Sequence, residues 1–270
     1  MIQALRRTAT AYGVFAALIL KRIMAYPLGF WVQFFTQFIV MAVTVYFWRG
    51  VYLGQETLGS LNLRQTLTYI MLAQLVMPLL QVSLIVHFGS WLRDGQLAIE
   101  LLRPVDFQVQ NFAQQQVGSW ILLLQQLPLL VVAWRLFGLE LPADPKVWMA
   151  FTISLLSGQA ILLFFDWIFA CLAFYTTDAF GFYLARTAIA GFFGGVLVPL
   201  AMMPGWLQAV AYSIPFAQAI SVPVSLLSGI TPLSDLPRIW LVQGLWLIGL
   251  AGLSRLIFRF ALRTVTFQGG

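Results

Sequence analysis

Residues 28–48 (LGFWVQFFTQFIVMAVTVYFW) and 65–89 (QTLTYIMLAQLVMPLLQVSLIVHFG) run without a single Asp, Glu, Lys or Arg. Helical segments of about 20 apolar residues cross a hydrocarbon core about 30 Å thick, pairing every backbone polar group internally. Both runs are long enough. They are followed by a sharp break at residues 90–107, SWLRDGQLAIELLRPVDF, which carries Arg93, Asp94, Glu100, Arg103 and Asp106. Burying that many ionisable groups in hydrocarbon costs several kcal/mol each, so the break belongs in water. Its interior still reads as a short amphipathic helix. Asp94 is placed to cap its start, Leu97, Ala98, Leu101 and Leu102 form an apolar face, and Pro104 stops it near Arg103. An apolar face in water calls for a partner.

Further apolar runs at 109–137, 147–176, 185–203 and 238–258 bring the expected spans to six. The composition agrees: 61% hydrophobic, only 9% charged, and a mean hydropathy of +0.88, against about 25% charged residues in soluble domains. The expected fold is an all-α integral membrane protein, residues 1–270 forming one membrane domain with spans at 28–89, 109–203 and 238–270. Residues 1–26 are different. Their apolar run from Ala11 to Leu20 is too short to span, and Lys21 and Arg22 follow it where a signal peptide needs small residues. They read as an amphipathic helix lying on the membrane surface.

With that segment inside, Arg6, Arg7, Lys21, Arg22, Arg93, Arg103, Arg186, Arg255, Arg259 and Arg263 fall on the cytoplasmic side. Arg49, Arg64, Arg135, Lys146 and Arg238 fall outside. The positive-inside bias therefore places both termini, the 90–107 break and the loop TDAFGFYLAR (177–186) in the cytoplasm. The net charge of +6 reads as anchoring at that face, since no basic stripe follows a nucleic-acid backbone.

Residues 204–237 are apolar yet interrupted by Pro204, Gly205, Pro215, Pro223, Gly229, Pro232 and Pro237. Pieces of about ten residues cannot span, but they can dip into the outer leaflet as short re-entrant helices. One reading is an external gate built around Pro215, Phe216 and Pro223; the other is an apolar loop at the interface.

Catalytic chemistry has little to stand on. A phosphate-binding loop needs a Gly-rich turn followed by Lys and Ser or Thr, and the two lysines, Lys21 and Lys146, precede Arg22 and Val147. His87 is the sole histidine, Cys171 the sole cysteine, and the carboxylates show no metal-ligand spacing. No cofactor or metal is expected on the chain itself.

Within the spans, Asp166 is the one acidic group far from a polar break. It must face protein or water, either attracting a cationic cargo or accepting hydrogen bonds from a neighbouring helix. Gln33 and Gln37 share a face of the first span, as do Gln74 and Gln81 of the second, so each pair either lines a pathway or binds helices together. Gly191 and Gly195 form a small-xxx-small pattern that allows close helix packing.

Several segments together resemble the type-two ABC exporter permeases. These are GQLAIELLRPVDFQ after the second span, LAFYT ending the fourth, and VPLAMMPGWLQAVAYSIPFAQAISVPVSLLSG beyond the fifth. The subfamily of multidrug or viologen exporter permeases is the most similar. The resemblance implies that residues 91–103 are a cytoplasmic coupling helix. Leu97, Leu101 and Leu102 would fill a groove of a separate ATPase subunit, with Arg93, Asp94, Glu100 and Arg103 at its rim. It further implies two copies of that ATPase, which holds ATP and Mg, a second permease, identical or paralogous, and a place in the bacterial inner membrane. The cargo would be a hydrophobic or amphipathic compound; on the pathway reading of the polar span residues, it would pass Gln33, Gln37, Gln74, Gln81 and Asp166. The alternative from another class is an ion-coupled secondary transporter, which would be expected to show inverted repeats or several midplane charges.

Overall fold

The computed structural model describes residues 27–80, 84–102, 106–175 and 179–264. The expected surface helix at 1–26 lies outside them. The described residues are almost entirely helical, with one short hairpin. Helix α1 (Pro27–Val51) opens on a proline, whose fixed φ suits a first turn. The hairpin β1 (Thr57–Leu58) and β2 (Leu61–Asn62) then turns at Gly59, whose φ of +61° is open to glycine. Asn62 and Gln65 form a reciprocal capping box that starts α2 (Leu63–Val76).

The run 65–89 is not one helix. Pro78 has no N–H to give, so the helical hydrogen-bond ladder loses a bond there, although Met77 before it keeps α geometry. The chain passes through a 3₁₀ turn, Met77–Leu80, and resumes as α3 (Leu84–Arg93). After it come α4 (Gln96–Leu101), α5 (Phe107–Phe137) and α6 (Pro145–Ala170), extended by the 3₁₀ turn Cys171–Phe174. Helix α7 (Ala179–Phe193) begins earlier and ends earlier than the expected fifth span at 185–203. Residues 179–186 of the expected inner loop are therefore helical, and the Gly194–Gly195 pair stops the helix, Gly195 at φ +76°. Three short helices follow, α8 (Gly205–Tyr212), α9 (Pro215–Ala219) and α10 (Ser221–Leu227), and then α11 (Leu236–Thr264).

Among the described residues, three helical segments are long and apolar enough to cross a membrane: Leu28–Val51, Pro145–Phe174 and Leu233–Arg263. A fourth is added if α8 and the α9–α10 unit, bent by 76°, count as one span. Their outward faces are apolar. Along α1, Leu28, Trp31, Val32, Phe35, Ile39, Val43 and Phe47 are exposed, while Met41, Val45 and Trp48 on the other side are buried. A helix in this arrangement is stable only where its outer face meets something other than water.

Of three apolar clusters among the described residues, the smallest gathers Leu200, Met203, Ala211 and Ala217, and two larger ones hold the long helices together. The larger joins α1, α2, α5 and α10 around Tyr69, Met71, Leu129 and Ile220. The other lies beneath α4 and joins α3, α5, α6 and α11. Residues 215–227 are buried without exception. This part of the proline-broken segment is an interior element backed by protein, whereas Trp206, Val210 and Tyr212 of α8 are exposed.

Candidate functional site

At the charged break, the six-residue helix α4 turns one face to the body of the protein and leaves the other exposed. Gly95 adopts φ +68° between α3 and α4, and the turn is closed without a side-chain cap, so Asp94 does not cap the helix as expected. Its amide instead donates to Ser90 O, extending the last turn of α3. The turn directs Leu97, 1% exposed, into the body of the protein, and Leu101 follows it half-buried. Ile99 and Leu102 face outward, 64% and 84% exposed. The expected docking face, Leu97 with Leu101 and Leu102, is therefore divided. Six residues complete less than two turns, so side chains four apart return to the body while Ile99 and Leu102 lie off that stripe. Arg93 and Asp94 are exposed at the rim, whereas Glu100 turns inward to accept a 3.3 Å bond from Gln110 Nε2. Arg103 lies outside the described residues.

Beneath Leu97 is a cluster of rings from four helices. Phe88 of α3, Phe107 of α5, Trp167 of α6 and Phe258 of α11 stand with centroids 5.0–5.8 Å apart, within the range of favourable aromatic packing. At the edge of this cluster Asp106 caps α5 by accepting from Val109 N at 2.9 Å. It also binds Arg255 Nη1 of α11 at 2.6 Å. The Arg255 hydrogen bond is the main reason the Asp106 carboxyl titrates below its ordinary value.

Deeper in the body, Asp166 has a definite partner. Arg186 of α7 donates through Nε to Oδ1 at 2.7 Å and through Nη2 to Oδ2 at 2.6 Å, a two-bond fork matched to a carboxylate. Both side chains are under 5% exposed. Arg186, expected among the cytoplasmic loop cations, is instead an interior residue of α7. Its guanidinium lies 5.7 Å from the centroid of Phe216, so the proposed gate residue shares this site.

The amides fall into two settings. Gln37 Nε2 donates to the backbone carbonyl of Gln74 at 3.2 Å, tying α1 to α2. Gln33 and Gln37 also line a cleft between α1 and α5 with Phe30, Phe34, Gln125, Gln126 and Leu129. Gln81 lies outside the described residues. Elsewhere Gln116 of α5 donates to Gln159 of α6 at 2.8 Å, and Gln243 of α11 donates to Ser154 Oγ at 2.8 Å and Gln218 O at 2.9 Å.

The last of these bonds holds the proline-broken segment. Pro215 starts α9, Phe216 turns towards Arg186, and Pro223 lies within α10. Ser221 accepts from Tyr69 Oη at 2.9 Å. Gly158 of α6 lets the segment come close, since a Cβ there would stand 2.6 Å from Ala219 Cα. The expected Gly191/Gly195 stripe does not form. Gly195 lies beyond the end of α7 against Tyr69 and Leu200, and a Cβ on Gly191 would meet nothing within the chain.

A profile of the ABC-2 family transporter proteins matches residues 38–269. The chain belongs to the ABC-2 transporter family. No curated protein matches it in sequence. As an ABC-2 protein it is the membrane component of a transporter, of a kind that typically has no ATPase domain and works with an ATPase partner. With its long apolar helices it is a multi-pass membrane protein.

Several residues of this ABC-2 protein escape a sequence reading. Gln125 and Gln126 sit in a span richer in amides than the two chosen for their glutamines, and the run QVQNFAQQQ at 108–116 was the available signal. Arg186 stands between apolar residues, FGFYLA before it and TAIAGFF after it. An arginine so placed, in a chain with one interior carboxylate, points to a pair. Nothing local marks Trp167 or Phe258 as neighbours of Phe107; that contact is made only by tertiary packing.

Proposed function

We propose that the chain is one permease of a type-two ABC exporter. In this reading it contributes six spans to a twelve-span pathway, paired with an identical or paralogous permease and driven by two copies of a cytoplasmic ATPase subunit that holds ATP and Mg. Helix α5, about 46 Å long at 1.5 Å per residue, and the broken α2–α3 unit supply membrane crossings beyond the segments already named, and α7 supplies another. Both termini lie in the cytoplasm of a bacterial cell, and the cargo is a hydrophobic or amphipathic compound moved outward by alternating access.

The observation that carries the reading is the outward face of α4. Ile99 and Leu102 are exposed at a charged, water-bound break while Leu97 locks the same helix onto the ring cluster. Such a helix receives force on one face and passes it on through the other. From Leu97 the packed route runs to Trp167, whose neighbour Asp166 grips Arg186 of α7, and Arg186 meets Phe216 of the interior segment. Spatial continuity is a reason to test coupling along this route, and double-mutant cycles are the test.

Co-purification from cells that express the tagged permease with its genomic neighbours checks the reading. A soluble ATPase subunit retained by the wild-type chain, and ATPase-dependent loss of an amphipathic dye from the cells, are expected. Transport that continues without any ATPase subunit and collapses with the ion gradient would favour the secondary-transporter alternative.

A further inference from the structure

The cleft between α1 and α5 has a chemistry that the packing of the chain does not satisfy. Gln126 is 7% exposed, and its Oε1 has no hydrogen-bond partner among the described residues; the Oε1 of Gln125 beside it is likewise buried and without a partner among them. Leaving buried amide oxygens unpaired is costly, and native proteins rarely do so without a use for them. The oxygens accompany Gln33 and Gln37, the rings of Phe30 and Phe34, and Leu129. No carboxylate lines the cleft. Gln37 and Gln126 lie roughly 16–21 Å along their helices from the Val51 and Phe137 ends, near the middle of a slab about 30 Å thick.

The cleft itself is narrow, with a free volume of about 10 Å³, room for one water-sized group, and its mouth is half open. That suits a small polar head better than a whole drug-sized molecule. Next to it runs an apolar track for the rest of a ligand. Trp31 stands 5.9 Å from Phe34 and 6.1 Å from Phe35, and Trp31, Phe35 and Ile39 are exposed along α1.

We propose that this cleft binds the hydrogen-bond-donating head of an amphipath, an amine or ammonium carrying N–H groups, with its apolar tail laid along the exposed face of α1. The amide oxygens accept from the head, and the faces of Phe30 and Phe34 favour a cation over an anion. Selection rests on N–H donors and not on charge alone, because nothing in the lining is anionic. The head comes either from a soluble amphipathic amine or from an aminolipid of the bilayer.

Taking the bound amphipath as cargo rests on the exporter reading; the binding site does not. The test therefore uses the full chain alone, without an ATPase subunit, in phosphatidylcholine nanodiscs, whose headgroups have no N–H donors. The probes are dodecylamine and dodecyltrimethylammonium, which share tail length and charge but differ in donors. Binding is followed by tryptophan emission, with Trp31→Phe to show that the signal arises at α1. Dodecylamine is expected to bind at least tenfold tighter, and the ratio should fall to near one in the Gln125→Met/Gln126→Met double variant, whose helical circular dichroism verifies folding. A wild-type ratio near one, a ratio unchanged in the double variant, or a signal that survives Trp31→Phe would overturn the proposal. If the double variant is misfolded, Gln126→Glu supplies the second test: an added anion should tighten binding of both amphipaths, and no change in either overturns it. Replacing the lipid with phosphatidylethanolamine separates the sources: dodecylamine is displaced if the aminolipid occupies the cleft and unaffected if a soluble amine is the occupant. Loss of ATPase docking elsewhere on the chain leaves these binding results untouched.

Discussion

Two ion pairs in this protein have the same chemistry and nearly the same length, yet they stand in opposite surroundings. Asp166–Arg186 and Asp106–Arg255 each include a contact of 2.6 Å. The first pair is almost fully enclosed by protein, and the second is close to half exposed at the polar end beside α4. Coulomb energy at a given distance depends on the local dielectric, so geometry alone does not rank them. The enclosed pair has few alternatives to its partner, and removing either member strands a charge. The exposed pair competes with water and salt. The contrast assigns a holding role to the inner pair, which fixes α7 against α6 and Phe216. At the outer pair the role is trimming, setting the entry of α5 beside α4.

The largest expected effect tests the inner half of this contrast. Arg186→Met, which leaves Asp166 buried without a cation, is expected to cost about 3–5 kcal/mol of stability, read as a lower midpoint of thermal unfolding in detergent. Adding Asp166→Leu removes the stranded charge and should recover much of that loss. Single and double variants of equal stability would show that the pair is not enclosed as described.

Next in size is the division of α4 into an inner and an outer face. Leu97→Ala opens a cavity against the ring cluster and is expected to cost about 2–5 kcal/mol. Leu102→Ala, at an exposed site, should remain within about 0.5 kcal/mol of wild type. Both are read by the same unfolding measurement, and equal effects would contradict the two-faced helix.

The smallest effect belongs to the outer pair. Asp106→Asn keeps an N-cap side chain while removing the charge, so the loss is expected to be under about 1 kcal/mol and to shrink further in high salt. Because Arg255 holds the folded carboxyl below its ordinary value, its contribution is fully present above the unfolded pKa of about 4 and fades as pH falls through the depressed folded value. The Asp106→Asn variant should lack that acid-range component, and an unaltered pH profile would count against it.

What sequence reasoning could reach follows the range of the interactions involved. The third and fourth apolar runs, 109–137 and 147–176, lie close to the observed α5 and to α6 with its 3₁₀ extension, because polar stretches that hydropathy registers flank both; Asp106 and Asp144 were not singled out as caps. The break at 90–107 was legible because charge cannot enter hydrocarbon. Hydropathy alone misplaced the ends of the second and fifth runs, since an apolar window does not register Pro78 or Gly195 as a turn. Which side of α4 faces the body could not be read, because it is set by Gly95 and by a ring cluster to which Trp167 and Phe258 come from distant helices. The partner of Asp166 was missed for a related reason: a positive charge near an expected loop was assigned to water, and only the packing of α7 on α6 shows otherwise.

The proposed docking of an ATPase on the outer face of α4 is tested most directly by Ile99→Asp/Leu102→Asp in a tagged permease co-expressed with the ATPase subunit. Retained ATPase on pull-down should fall at least tenfold, with transport lost and the unfolding midpoint of the permease essentially unchanged. Full retention of the ATPase and normal transport in that variant would contradict a coupling role for this helix.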